Sequence, residues 1–193
     1  MADPERTLTE RVASIAPVQV RDVYFRHAAP NRDAFAGGGG GRWARHFPVI
    51  YLGQPTDSVV IEAYRHLVDD QGVPAENIRP RVLYTVPVEV ERILDLTVFA
   101  NRDAVGLTSA DLTSDVDDYD ACQLVAAAAH QLRWHGVLAP AAEGTGTTLA
   151  LFRDRLSVVE LPKPTSQRIW QRLPKDPRRL HLVQDPEEQS RGA

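Results

Sequence analysis

The sequence lacks several features that define whole classes of proteins. Its 193 residues include one cysteine, Cys122, so an internal disulfide framework is excluded. No stretch approaches the roughly 18 consecutive apolar residues that a membrane span requires. The N-terminal segment has no apolar stretch of the kind found in a signal peptide. These absences predict a cytoplasmic protein that makes no membrane contact.

Basic patches and metal-binding motifs are also missing. The formal net charge is -4, and the lysines and arginines are spread along the chain without a basic stripe. We therefore expect no direct nucleic-acid binding. The six histidines show neither HExxH nor paired CxxC spacing, so no metal site is predicted. No G-x-S-x-G elbow supports Ser-His-Asp catalysis.

Length and composition predict one domain with loose ends. A hydrophobic content of 43% in 193 residues is enough for one full core. We place an N-terminal lead-in at 1–17, the domain at 18–162 and a C-terminal extension at 163–193. The prolines and charges of that extension predict a disordered end.

Short β-rich runs mix irregularly with helical patterns. Strands are predicted at 18–27, 47–53 and 137–140 and in a closing hairpin at 147–161, and residues 81–96 are predicted to form one or two strands. Helices are predicted over Pro4–Ala13, from Thr56 or Asp57, and from Asp117 to about Trp134, with Gly136 as the glycine that ends the last one. Pro87 makes its strand an edge strand or bends it. The irregular order favours the α+β class over a doubly wound sheet.

Five consecutive glycines at 37–41 are the most conspicuous feature. They form neither a Rossmann fingerprint nor a P-loop, because no helix with the required residues follows. Arg42 follows the glycines directly, and its guanidinium fork could grip a pyrophosphate. Arg26, at the end of the first strand, could approach the same place. On composition alone, a flexible surface loop is the alternative.

Glu62 lies on the helix face opposite an apolar stripe that includes Val60 and Tyr64. Arg65 and His66 stand beside it at the spacings of local ion pairs. This periodicity favours a solvated polar face. A carboxylate that lines a pocket is the alternative, because a cleft wall is also polar and points away from the core.

From about Val20 to Leu161 the chain resembles the RES domain family, which is named for an Arg, a Glu and a Ser. Five segments carry the resemblance in the family's order: VYFRHAAP with Arg26, GGGGGRW with Gly41 and Arg42, PVIYL with Tyr51, TDSVVIEAYRHL with Glu62, and WHGVLAPAAEGTGTTLALF with Ala141. Ala141 stands where the family has serine, which removes one hydroxyl from the expected pocket.

The resemblance implies a fold similar to the ADP-ribosyltransferase toxins, with two small, mostly antiparallel sheets flanked by helices around an NAD cleft. It implies cleavage of the nicotinamide–ribose bond of NAD by hydrolysis or phosphorolysis, with NAD as substrate and no separate cofactor. The catalytic residues would be Glu62, Arg42 and Tyr51. NAD would contact Arg26, Arg42, Tyr51, Gly41 and Ala141.

The family consists of the toxin components of RES/Xre toxin–antitoxin systems. The resemblance therefore implies a cognate Xre-type helix-turn-helix antitoxin that covers the cleft. Two alternatives are transfer of ADP-ribose from NAD to a target protein, and nucleotide binding with weakened catalysis. The sequence leaves open whether water, phosphate or a protein accepts the ADP-ribose, and which oligomer forms.

Overall fold

The computed structural model describes residues 6–113 and 118–180. The end predicted to be disordered falls mostly on residues 181–193, outside the described residues. Within the described ranges, no helix combines the length and apolar character needed to cross a membrane. In the lead-in, α1 (Leu8–Ala13) is capped by Thr7, whose hydroxyl and backbone N–H form a capping box with Glu10.

Helices and strands are both present, which confirms the α+β class. The strands are β1 (Val18–Ala28), β2 (Val49–Gln54), β3 (Arg81–Asp95), β4 (Gly136–Pro140), β5 (Thr147–Phe152) and β6 (Ser166–Trp170). The further helices are α2 (Thr56–Tyr64), α3 (Phe99–Val105), α4 (Ser109–Thr113), α5 (Asp120–Gln131) and α6 (Pro177–Leu180). A π-helical turn, Arg65–Asp69, extends α2, and a short 3-10 helix spans Ala75–Asn77.

The described strands form one closed sheet, whereas the sequence resemblance implied two. Their order is β1-β2-β5-β4-β3-β6, and β1 also pairs with β3, which joins the two sides. All pairings are antiparallel except that of β3 with β4. Closure depends on the 15 residues of β3, which pair with β1 along most of their length and reach β4 at their end. Arg92, with a φ of 58°, bends β3 just before the β4 pairing.

Pro87 occupies a gap in the pairing of β3. On one side it lies opposite Val23 of β1. On the other side, β6 pairs only with residues 81–85 and β4 only with residues 93–95. A proline, which lacks the N–H donor, fits this locally open edge. The prediction of an edge strand was wrong, because β3 has partners on both sides, but Pro87 lies at the stretch where one side is open.

Two predicted boundaries were wrong. The long helix α5 ends at Gln131, and Gly136 instead opens β4, where a Cβ would clash with the backbone carbonyl of Ala150. The predicted hairpin has its first strand, β5, but residues 157–161 form a turn in which Val158 and Val159 are exposed. The edge partner of β3 is β6, which lies in the C-terminal extension.

Three apolar clusters hold the elements together. One fills the interior of the closed sheet and includes Ile50 and Val86. The second joins α1 and α5 to the outer faces of β4 and β5 around Trp43 and Phe152. The third packs α2 against Leu83 and Trp170, together with the partly buried Phe25. As a result, α2 lies across the ends of β1 and β2, where Arg26 and Tyr51 are located.

Candidate active site

A cavity of about 480 Å³ opens between the ends of β1 and β2, α2 and the glycine-rich segment. Five of the six site residues predicted from the sequence line it: Arg26, Gly41, Arg42, Tyr51 and Glu62. Ala141 is buried and does not line the cavity, although Pro140 and Ala142 on either side of it do. Its backbone N–H donates to the carbonyl of Gly146, which fixes the turn after β4.

Gly41 and Tyr51 form a tightly packed part of the wall. The Tyr51 hydroxyl accepts a hydrogen bond from the backbone N–H of Trp43 at 3.0 Å. Gly41 has a φ of +107°, and a Cβ on it would lie 2.8 Å from the Tyr51 hydroxyl oxygen. Burial raises the pKa of Tyr51 well above its ordinary range, so the phenol is neutral. The last glycine of the run is therefore required by the local packing.

Earlier in the run, Gly38 pairs with Val49 through two backbone hydrogen bonds of 3.0 and 2.9 Å. At the end of the run, the side-chain amide of Gln123 on α5 donates to the Gly41 carbonyl at 3.1 Å. The glycine-rich segment is thus attached to β2 and α5 at both ends. The glycine-rich segment is therefore not a freely flexible surface loop.

Arg26 lies at the inner end of the cavity. One terminal nitrogen donates to the backbone carbonyl of Tyr51 at 2.6 Å. Its Nε is buried and has no hydrogen-bond partner among the described residues. Burial, with repulsion from Arg81, lowers the pKa of Arg26, but a guanidinium remains charged at neutral pH. Arg26 therefore offers a partly buried cation that is held by the Tyr51 carbonyl.

Arg42 is buried and contacts two other segments. A terminal nitrogen donates to the backbone carbonyl of Asp111 at 2.6 Å, and the guanidinium carbon lies 4.4 Å from the centre of the Tyr119 ring. A guanidinium stacked on an aromatic ring loses little further freedom when it binds an anion. These two contacts hold the Arg42 side chain against the cavity wall. The sequence predicted this side chain as the group that binds an anion.

Glu62 projects from α2 into the cavity mouth, where its side chain is 46% exposed. The polar helix face predicted from the sequence is present, and that face is the cavity wall. His66 Nε2 lies 2.6 Å from a Glu62 carboxylate oxygen. Burial would raise the pKa of Glu62, but the hydrogen bond and positive charge of His66, with Arg65, outweigh it, so the pKa is lowered. Glu62 is therefore an ionised carboxylate at neutral pH.

His27 and Arg81 also line the cavity and were not predicted as site residues. Arg81 Nε donates to His27 Nδ1 at 3.2 Å, and the His27 ring stacks on Trp170 of β6 with centroids 6.1 Å apart. Burial, followed by repulsion from Arg81 and Arg26, lowers the pKa of His27 to about 3. His27 is therefore a neutral part of the wall. No sequence motif marks this group, because it is assembled by pairing of β1, β3 and β6.

The cavity is positively charged although the chain as a whole is negative. Four arginines (Arg26, Arg42, Arg65 and Arg81) and one carboxylate, Glu62, are among the described residues that line it. Arg65 also lies 3.8 Å from Glu143 on the turn before β5. Several buried or partly buried guanidinium groups around one carboxylate favour a ligand with more than one negative charge.

Two relatives are similar to this chain in sequence. They are the NAD(+) phosphorylases MbcT of Mycobacterium bovis and of Mycobacterium tuberculosis. Each is 33% identical over 156 residues, which cover 77% of this chain and 82% of the relative.

A solved structure is similar in fold. It is the crystal structure of the Mycobacterium tuberculosis MbcT-MbcA toxin-antitoxin complex. A chain of that complex aligns with a TM-score of 0.74 and 29% sequence identity, over 85% of this chain and 92% of that chain. The RES domain family matches residues 16–176, a range that includes β6 and the whole cavity. This chain therefore belongs to the RES domain family.

Proposed function

We propose that this protein cleaves NAD between nicotinamide and ribose and transfers the ADP-ribosyl group to inorganic phosphate. The observation that carries the proposal is the gathering of Arg26, Arg42, Tyr51 and Glu62 in one positively charged cavity. The name of the mycobacterial relatives, NAD(+) phosphorylase, supports phosphate as the acceptor. NAD is the substrate, and the reaction needs no separate cofactor.

The reaction exchanges one bond to the ribose for another. The bond between ribose C1′ and the pyridinium nitrogen breaks, and nicotinamide leaves as a neutral molecule with the bonding electron pair. A phosphate oxygen then bonds to C1′ and gives ADP-ribose 1-phosphate. Positive charge develops on the ribose in between, as in other glycosyl transfers. The ionised carboxylate of Glu62 stabilises that charge and accepts a hydrogen bond from a ribose hydroxyl.

The other residues bind and orient the dinucleotide. Arg26 and Arg42 hold the diphosphate, and the Tyr51 ring packs against nicotinamide. Gly41 lets the backbone approach the dinucleotide closely, and the buried Ala141 lies between Pro140 and Ala142, which line the cavity. Because most of these groups are already fixed by protein contacts, little ordering is required when NAD binds.

Product analysis tests the activity directly. Purified protein is incubated with NAD in the presence and absence of phosphate, and the products are separated by chromatography. We expect ADP-ribose 1-phosphate and nicotinamide, with turnover that depends on phosphate. Free ADP-ribose would show that water is the acceptor, and label on protein would show transfer. Intact NAD under all conditions would refute the proposed function.

The role of Glu62 is tested by Glu62→Gln, which preserves size and removes the charge. We expect NAD cleavage to fall about a hundredfold or more, the scale of one preorganised electrostatic group. The free energy of unfolding should change by less than about 1 kcal/mol, as for an exposed side chain. Glu89→Gln, on the exposed face of β3, is the matched control and should retain full activity. Equal turnover in the two variants would remove Glu62 from the mechanism.

We further propose that the protein acts as a cytoplasmic toxin and that a cognate Xre-type helix-turn-helix antitoxin covers the cavity. The solved toxin-antitoxin complex supports the existence of such a partner. We also retain the proposal that the sheet and cavity are related to those of ADP-ribosyltransferases. Co-expression with a candidate Xre-type antitoxin should give a stable complex that cleaves NAD much more slowly. Full activity of such a complex would contradict the covering role.

A further inference from the structure

Glu62 is one end of a chain of three hydrogen-bonded side chains. His66 Nε2 lies 2.6 Å from a Glu62 oxygen, and His66 Nδ1 lies 3.0 Å from an oxygen of Asp70. The imidazole is thus held at both nitrogens between two carboxylates. A singly protonated imidazole can donate to only one of them, so this arrangement favours the doubly protonated ring.

The backbone changes from an α-helix to a π-helix between Glu62 and Asp70. In an α-helix, four residues exceed one turn by about 40°, so residues spaced by four drift around the helix. Here α2 gives way to the π-helical turn Arg65–Asp69, in which the Asp70 N–H donates to the Arg65 carbonyl at 2.9 Å. The wider turn offsets the drift and keeps Glu62, His66 and Asp70 in one line. Such π-helical turns occur often at functional sites.

The three residues differ in their relation to the cavity. Glu62 and His66 line it, whereas Asp70 does not and lies farther along the helix. Asp70 therefore contacts the cavity only through His66. The other charged groups that line the cavity are Arg65 on the same helix, Arg26 on β1, Arg42 after the glycine run and Arg81 on β3, and His27 there is neutral. These neighbours supply no further carboxylate to the imidazole.

We propose that His66 is a positioning residue for NAD cleavage: held by Asp70, it fixes the Glu62 carboxylate in the orientation that faces the developing charge on ribose. The inference rests on the proposed function, because it gives Glu62 its catalytic role. One Glu62 oxygen binds His66, and the second is directed to the substrate. A carboxylate that rotates freely would have to be ordered again in every catalytic cycle.

The charge state of His66 gives this role a pH dependence. The Glu62 hydrogen bond raises the pKa of His66, and Asp70 raises it further, against a lowering by burial. The pKa of Glu62 is lowered. The ion pair is therefore complete above the lowered pKa of Glu62 and below the raised pKa of His66. As the pH rises through the pKa of His66, the ring loses one donor and Glu62 loses its fixed orientation.

The experiment measures kcat and KM for NAD across pH for the full-length protein and two variants. For His66→Gln we expect kcat to fall tenfold to a hundredfold, the cost of a misplaced catalytic group, with little change in KM. The alkaline decline of kcat in the parent should be absent from this variant. For Asp70→Asn, which leaves His66 in place, the alkaline decline should move to lower pH because one cause of the raised pKa is lost.

A matched control is available outside the cavity. His135 Nδ1 lies 2.8 Å from a Glu160 oxygen in a second histidine–carboxylate pair, and neither residue lines the cavity. His135→Gln should therefore leave kcat and its pH profile unchanged. Thermal unfolding of each variant identifies any loss of fold, and Asp70→Asn provides the test if His66→Gln is unfolded.

The outcomes separate the two proposals. A parent protein that leaves NAD intact refutes the proposed function itself. A parent that cleaves NAD, with an unchanged kcat and pH profile in folded His66→Gln and Asp70→Asn variants, refutes the role of His66 alone. The role of His66 is supported by two results together. In His66→Gln, kcat falls and its alkaline decline disappears, and in Asp70→Asn the alkaline decline of kcat moves to lower pH.

Discussion

Gly41→Ala tests the packing on which the cavity depends. The new Cβ would lie 2.8 Å from the Tyr51 hydroxyl oxygen and 3.1 Å from the ring carbon that bears it. Real Cβ atoms do not approach so closely, so Tyr51 or the glycine-rich segment must move. The φ of +107° would also force an L-residue into a conformation that it rarely adopts.

The expected cost has two parts. Backbone strain of this kind amounts to about 1–3 kcal/mol. Displacement of the Tyr51 hydroxyl from the Trp43 N–H removes a hydrogen bond with a net contribution of about 1 kcal/mol. We therefore expect the free energy of unfolding to fall by about 3 kcal/mol, which for a chain of this size lowers Tm by about 6–12 °C.

Gly39→Ala is the matched control. Gly39 belongs to the same run and lies outside the left-handed region, and a Cβ added to it would meet no heavy atom within 4 Å. Alanine there should be neutral or stabilising by about 0.4–1 kcal/mol, because it restricts the unfolded chain. Urea unfolding of both variants, with NAD affinity measured on the folded proteins, gives the comparison. Equal stability and equal NAD affinity in the two variants would refute the packing argument.

Two further substitutions test other parts of the cavity. Arg42→Lys keeps the charge but loses the planar guanidinium that contacts the Asp111 carbonyl and stacks on Tyr119. We therefore expect the Kd for NAD, measured by calorimetry, to rise about tenfold or more. An unaltered Kd would remove Arg42 from the binding site. Trp170→Ala removes a buried ring that stacks on His27 and should cost about 3–5 kcal/mol in urea unfolding. Ile169→Ala, at a residue 58% exposed on the same strand, should cost less than about 1 kcal/mol, and a similar loss in both variants would contradict the assigned packing.

The cavity residues that could be predicted from sequence are those that lie in short local motifs. Arg42 follows the glycine run, and Arg26 and Tyr51 each end or interrupt an apolar strand. Periodicity placed Glu62 correctly on a polar helix face, but it could not distinguish solvent from a cavity wall, since both are polar. Only the order of motifs, compared with the family pattern, favoured a functional role.

Other features depend on contacts between distant segments, which no local pattern reveals. Strand β6 is short, mostly exposed and flanked by prolines, so its composition is typical of a loop. His27, Arg81 and Trp170 come together only because β3 pairs with both β1 and β6. Gly136 was interpreted as a helix end, although its requirement arises from the close approach of the Ala150 carbonyl on β5.

The pairing of β3 with β6 has a consequence for synthesis of the protein. Val82 lies opposite Ile169, so the two strands meet only after a long stretch of chain between them has been made. Pairing between strands so distant in sequence is typical of slow folding, although β4 and β5 already tie part of the intervening chain to β3. Trp170, the ring beneath His27, is among the last residues of the family domain to leave the ribosome. All residues that line the cavity are therefore synthesised before the strand whose tryptophan supports His27, so that part of the cavity wall gains its support last.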